Sequence, residues 1–445
     1  MTDLLAARSQ MAMSLAFHII FAVVGMAMPL LMVIAEAMYL RTGDRSWLEL
    51  AKRWSKGTAV MFAVGAVSGT CLSFELGLLW PHFMERAGPL VGLSFSMEGF
   101  AFFFEAIFLG VYLYGWKRVP PRLHLLSGVG VLISGVASAV FVISANAWMN
   151  TPTGFRLVDG AFVDIDPVAA VFNPAFPTQA LHMVLAAFAT VGFAVAGIHA
   201  LTILRGDRSL FHRRALGIAM AVGGVAAFLQ PLSGDLSAKH VAHHQPVKLA
   251  AMESHWETES WAPLRIGGIP DEEAETTSYS INIPGGLSAL SFMDPAAEVR
   301  GLKEFPPEDR PPVTVVHFAF QLMVGCGMAM MGVAALFGWR WWRRRAVPTD
   351  PGTLRILVAA APLGLIALEA GWTVTEVGRQ PWIIKGVLRT ADAVTPMPHL
   401  VVPFTAFSAL FLMLGVVTVV LLRRIVFSTP VEPEATLDST ETRHA

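Results

Sequence analysis

The sequence predicts an all-α integral membrane protein of about nine transmembrane helices, with its N-terminus outside and its C-terminus cytoplasmic. Three observations carry that expectation. Hydrophobic residues make up 54% of the chain and charged residues only 15%, with a mean hydropathy of +0.57, too few polar groups to clothe a soluble globule of this size. Apolar runs of membrane-crossing length, about 20 residues or more, recur along the chain. Basic residues gather only between alternate runs.

The first run, near 11–40, is far longer than a signal-peptide core and lacks a basic leader or cleavage site, so it reads as a retained span. Further runs lie near 54–80, 92–115, 124–148, 178–204, 214–232, 312–339, 354–378 and 398–422. Arg41, Arg45, Lys52, Arg53 and Lys56 follow helix one, Lys117, Arg118 and Arg122 follow helix three, and Arg205, Arg208, Arg213 and Arg214 follow helix five. Arg340, Arg343, Arg344 and Arg345 follow helix seven, and Arg423 with Arg424 follow helix nine. The excess of positive charge on cytoplasmic loops gives the orientation.

The chain divides accordingly. Residues 1–232 hold helices one to six, 233–311 form a hydrophilic outer loop, 312–427 hold helices seven to nine, and 428–445 form a polar, acidic tail expected to be disordered and cytoplasmic. The outer loop is rich in turn formers (Ile269-Pro270-Asp271, Pro284-Gly285-Gly286), which predicts an ordered loop with little regular structure. It is the natural place for a substrate to meet the protein. A net charge of -1 with no basic face argues against nucleic acid, and Cys71 and Cys326, each inside an apolar run, read as packing residues. No serine-centred elbow or phosphate loop gives hydrolase or nucleotide chemistry a foothold.

Ionisable groups inside a span are expensive and mark function by default. Here they are His18, Glu36, Glu75, Glu98, Glu105, His182, His199, His317, Glu369 and Glu376, with Met323 a possible soft ligand. By depth, His18, His182, Met323 and Glu376 gather in the outer half of the membrane. A His–Met pair suits low-spin electron-transfer iron, and a lone His or carboxylate leaves a position open for oxygen. The same residues also suit an ion-coupled transporter, and a histidine or methionine in a span is often a packing residue. Glu98 and Glu105 are seven residues apart, on one helix face and separated by about 10 Å. Such a stack could relay protons, with Ser138 and Asn146 on helix four as further steps; the alternative is a pair of neutral, hydrogen-bonded carboxyls.

Several segments resemble one family over almost the whole chain, subunit I of the cytochrome bd quinol oxidases. Gly371-Trp372-Thr373-Val374-Thr375-Glu376-Val377-Gly378-Arg379-Gln380-Pro381-Trp382 is similar to the family's GW-x-x-x-E-x-GRQPW signature. Gln245-Pro246-Val247-Lys248-Leu249-Ala250-Ala251-Met252-Glu253 is similar to its quinol-loop motif QP-x-KLAA-x-E. Phe17-His18, His182, Phe320-Gln321-Leu322-Met323-Val324-Gly325, the Glu98/Glu105 pair, Ala145-Asn146-Ala147-Trp148-Met149 and Arg8 also fit.

The resemblance implies a terminal respiratory enzyme that oxidises quinol at the outer face and reduces dioxygen to water with cytoplasmic protons, separating charge without a pump. It implies a low-spin haem b on His182 and Met323, and high-spin haems on His18 and Glu376: a haem b together with a haem d, or a second b haem in its place. Lys248 and Glu253 inherit the quinol role, Arg379 of the signature joins the catalytic residues, Glu105 and Glu98 inherit proton entry with Ser138 and Asn146 as the further steps named above, and Trp372 and Arg8 take the surroundings of the haems. A second large membrane subunit, subunit II, is implied, with a small single-span subunit beside it. Two departures stand out. Gln321 takes the place of an arginine common two residues before the methionine ligand, and the outer loop is short, as in the cyanide-insensitive branch. The competing readings are a non-redox ion-coupled transporter, which needs no iron, and a b-type cytochrome membrane anchor, which needs no oxygen site.

Overall fold

A computed structural model describes residues 1–428. Among these residues nine helices are long and apolar enough to cross a membrane. They are α1 (Asp3–Thr42), α2 (Arg45–Leu79), α3 (Pro81–Tyr114), α4 (Pro121–Asn150), α5 (Phe176–Leu204), α6 (Leu210–His244), α7 (Val313–Arg344), α8 (Pro351–Val377) and α9 (Val401–Leu422). The polar tail predicted at 428–445 lies, Ser428 apart, outside the described residues.

Most helices overrun the apolar runs that reveal them. α1 begins at Asp3 because the Thr2 hydroxyl accepts from the Leu5 N–H at 3.3 Å, and α2 follows after two residues because Asp44 accepts from the Ser46 N–H at 2.9 Å. The largest overrun corrects the boundary expected at 232. α6 continues to His244, since residues 233–244 are polar but helix-compatible, carry a Lys239–Asp235 pair at 2.6 Å one turn apart, and meet no proline until Pro246.

The five basic turns collect at one end of the bundle. Arg214 at the start of α6 donates to Asp44 in the α1–α2 turn at 2.6 Å, and Lys52 lies 5.7 Å from the Trp116 ring of the α3–α4 turn. Val347 of the α7–α8 turn packs on α6 at Gly217, and Val426 beyond α9 packs on α2 at Gly57. At the opposite end the Leu400 N–H donates to Asp3 at 2.9 Å, and Lys385 donates to the His244 carbonyl at 3.0 Å.

The main core joins α1, α5 and α6 with parts of α2, α7 and α8 around Met26, Leu31, Phe193 and Leu216. α9 is the least enclosed, burying only Phe411 and Thr418. Large apolar side chains such as Phe100, Phe103, Phe104 and Ile107 point outward from α3, as lipid-facing residues do.

The outer loop holds more regular structure than expected. A seven-residue helix, Pro246–Met252, starts at the proline that ends α6, and an antiparallel hairpin pairs Leu264–Asp271 with Thr276–Ile283. The turn formers are spent within this framework: Asp271 accepts from the N–H groups of Glu273 and Ala274 at the hairpin's tip. α7 anchors it from below. Gln321 accepts from the Gly267 N–H at 3.1 Å and donates to the Arg265 carbonyl at 3.0 Å, while His317 sits between the Met252 and Gly267 carbonyls at 2.8 and 3.1 Å.

Candidate active site

His18 on α1 and His182 on α5 are held by the same device. The His18 Nδ1 lies 2.9 Å from the Ser68 hydroxyl of α2, whose own hydrogen is donated to the Gly65 carbonyl at 3.1 Å. The His182 Nδ1 lies 2.9 Å from the Ser233 hydroxyl of α6, which donates to the Gln230 carbonyl at 2.9 Å. Each hydroxyl can accept from Nδ1 while giving its own hydrogen to the helix carbonyl, an arrangement that leaves the Nε2 lone pair for a ligand. In His182 that lone pair faces the Gln230 amide at 3.2 Å.

Space has been cleared against two of the expected ligands. A Cβ at Gly69 would stand 2.9 Å from the His18 ring, and one at Gly371 would stand 3.0 Å from the Met323 sulfur. A larger residue at either position would require the ring or the sulfur to shift.

Glu376, at the end of α8, is the centre of a hydrogen-bonded chain. Its Oε2 accepts from Arg379 at 2.6 Å, and its Oε1 accepts from the Asn146 amide of α4. Asn150, one turn on, donates to the Asn146 side chain at 3.3 Å and to its carbonyl at 3.0 Å. The Lys248 ammonium, on the loop helix, donates to the Asn150 Oδ1 at 2.5 Å and reaches the Thr375 carbonyl at 3.5 Å. A cleft of about 250 Å³ opens beside this chain, between Gln245, Lys248, Phe305, Arg379, Gln380 and Trp382.

Lys248 and Glu253 are both buried but do not act as a pair. Five residues turn a helix by about 140°, so Lys248 points into the bundle while Glu253 faces Arg265 of the hairpin. Arg265 in turn meets His255 at 3.0 Å. Burial pushes the Lys248 ammonium well below the usual lysine range, with Arg379 and Lys385 adding repulsion. Burial raises the Glu253 carboxyl to about 7, and Arg265 offsets part of that rise.

On α3, Glu98 accepts from Ser138 of α4 at 3.4 Å, and Glu105 packs where Gly25 of α1 and Gly135 of α4 leave room. Of the two helix-four residues expected beside the acidic pair, Ser138 adjoins Glu98, whereas Asn146 joins the Glu376 group. Arg8 is exposed on the first turns of α1, and among the described residues no hydrogen bond or ion pair links it to that group.

The donor set suits haem. Two imidazoles anchored through Nδ1, a thioether and a carboxylate are axial-ligand chemistry. The Trp372 Nε1 and one terminal Arg379 nitrogen are buried donors with no partner among the described residues, a need that an anionic group would meet. Among the described residues no group of three or more His, Cys, Asp or Glu side chains could hold a bare metal ion.

The model of the cytochrome bd terminal oxidase subunit I family matches residues 6–430. The chain belongs to that family. A putative cytochrome bd menaquinol oxidase subunit I of Bacillus subtilis is 39% identical over 95% of this chain and 96% of its own length. A cytochrome bd ubiquinol oxidase subunit 1 of the same organism is 32% identical over 95% of this chain and 93% of its own length. The solved bd oxidase of Geobacillus thermodenitrificans superposes with a TM-score of 0.90 at 40% identity, covering 96% of this chain and 99% of that one. This oxidase subunit is therefore a multi-pass protein of the bacterial cytoplasmic membrane and a haem protein. Family membership sets aside both the ion-coupled transporter and the simple b-type anchor.

Residue reading missed Ser68, Ser233 and Gln230, because a hydroxyl or amide in a span carries no periodic signal. Asn150 was findable: it stands four residues after Asn146, on the same helix face.

Proposed function

We propose that this chain, as subunit I of a terminal quinol oxidase, oxidises quinol where the outer loop meets the ends of α4 and α8, and supports dioxygen reduction beside Glu376 and His18. The observation that carries the reading is the continuous chain Lys248–Asn150–Asn146–Glu376–Arg379, which joins the quinol-loop motif to the GRQPW signature through α4.

His182 and Met323 would hold a low-spin haem b, and His18 and Glu376 the high-spin haems, a b together with a d or a second b. Haems held by these residues would supply electron transfer from quinol to dioxygen. Trp372 and Arg379 supply hydrogen bonds to the haem carboxylates. Glu253 accepts a quinol proton: its carboxyl is poised near neutrality with an oxygen that no protein group engages. Lys248 fixes the loop helix on α4 and lines the cleft that a quinol head group would enter. Glu105 and Glu98, with Ser138, deliver protons from the cytoplasmic end. The basic turns set that end in the cytoplasm and the loop outside. Because electrons and protons approach from opposite faces, turnover separates charge without a pump. Subunit II is the family's usual companion; a small single-span subunit completes the proposed complex.

The test is a dithionite-reduced minus air-oxidised spectrum of the purified complex with pyridine-haemochrome quantitation. Low-spin and high-spin b bands with a chlorin band assign haem d; b bands alone with quinol-driven oxygen uptake assign the second b haem. Haem-free protein would overturn the reading.

A further inference from the structure

The acidic row on α3 continues where residue reading stopped. Tyr112 stands seven residues beyond Glu105, as Glu105 stands seven beyond Glu98, so all three share one face over about 21 Å. At the basic end of the bundle this row runs into a buried group that the quinol and haem chemistry leaves unused. His124 of α4 places Nε2 2.9 Å from the Tyr112 carbonyl and Nδ1 2.7 Å from the Glu36 carboxyl of α1. A carbonyl only accepts, so Nε2 carries a hydrogen. The 2.7 Å Nδ1–Glu36 contact is a buried hydrogen bond between two groups that can each carry a proton.

Glu36, Tyr112 and His124 are almost wholly buried. The Glu36 Oε2 has no partner, and the Tyr112 phenol lies beside Glu36 without completing a hydrogen bond. Buried polar atoms left open in this way are where proteins place water or a moving proton. Above His124 lies the Trp116 ring at 4.0 Å, and over Trp116 the Lys52 ammonium at 5.7 Å, so the group sits one aromatic layer below the basic surface. An apolar trio of the same volume would join α1, α3 and α4 at least as well, which makes packing a poor reason for an acid and an imidazole here.

We propose that Glu36, His124 and Tyr112 form the proton-loading site at the entrance to the α3 row. This rests on the reading of Glu105 and Glu98 as the proton route. A proton from the cytoplasm forms an O–H bond at the Glu36 Oε2, the opposite oxygen stays against His124, and that O–H bond breaks as the proton passes by Tyr112 to Glu105. One proton enters and one leaves, and no electron moves. Glu36 and His124 act through Glu105 and are positioning residues for the oxygen chemistry.

The test uses the whole complex in sealed vesicles, comparing Glu36→Gln and Glu105→Gln with the parent. Proton uptake is followed after an oxygen pulse to the reduced enzyme, alongside haem reduction by quinol without oxygen. Glu36→Gln is expected to slow proton uptake on the order of a hundredfold with unchanged haem spectra and unchanged anaerobic reduction, and Glu36→Asp to restore most of the rate. Parent-like uptake in Glu36→Gln with slow uptake in Glu105→Gln overturns the loading site and spares the Glu105 route. Parent-like uptake in both overturns the route and the site together. If Glu36→Gln lowers haem content, Tyr112→Phe, which keeps the ring packed against His124, is scored by the same outcomes.

Discussion

In the proposed mechanism the electron and proton ends of quinol oxidation come down to single atoms of Met323 and Glu253. Met323 presents its sulfur to α8 where Gly371 makes room. Leucine keeps the volume and loses the ligand, so Met323→Leu should abolish the low-spin absorption band and slow quinol-driven reduction while high-spin features persist. An unchanged low-spin spectrum would remove Met323 from the ligand set. Glu253 makes a pH prediction. Its carboxyl is raised to about 7 by burial, and only the ionised form accepts a proton, so quinol oxidation should fall as pH drops through about 7. Glu253→Gln should flatten that limb and lower the rate on the order of a hundredfold. A surviving limb would assign it to another group.

At the scale of elements, a buried ammonium ties the loop helix to α4. Asn150→Ala removes the acceptor of Lys248 and the donor that steadies Asn146, leaving a buried group unpaired at a cost of about 1–3 kcal/mol. The expected result is a lower melting temperature together with a shifted high-spin haem band, because Asn146 no longer holds Glu376 in place. A stability loss with an unmoved band would make the chain a structural tie only. The nine spans were legible because hydropathy along one dimension is enough to find a helix that must satisfy its own backbone in lipid. The turns of helix beyond the lipid were not, since residues 233–244 have the composition of a loop and the pairing of Asp235 with Lys239 shows only once they coil. The hairpin was hidden for a related reason: Gln321 and His317, which seat it, lie some 50 residues away along the chain.

For the whole molecule, the basic turns share one end and the outer loop the other, which makes orientation measurable. Single cysteines at Ala274, on the hairpin turn, and at Arg118, in the α3–α4 turn, should react with an impermeant maleimide from opposite sides of intact cells, Ala274→Cys from outside. Reversed labelling would invert the proton and electron routes. The candidate site was partly legible at this scale. Residue types placed His18, His182, Met323 and Glu376 at similar depth, and the resemblance supplied their roles. The chain from Lys248 to Glu376 draws on the loop, α4 and α8 at once, and no spacing rule reaches across three elements.

The overrun of α6 sets a rotational phase for everything that follows it. From Ser233 to His244 the helix rises about 18 Å as a rod, and the loop helix departs from its tip at Pro246. One residue added to that rod would swing the tip by about 100° and carry Lys248 away from Asn150, whereas seven added residues, close to two full turns, would nearly restore its azimuth but lift it by about 10 Å. Insertions of one residue and of seven should therefore both cost quinol oxidation, the first by rotation and the second by displacement, as a key fails its lock whether it is turned or cut too long.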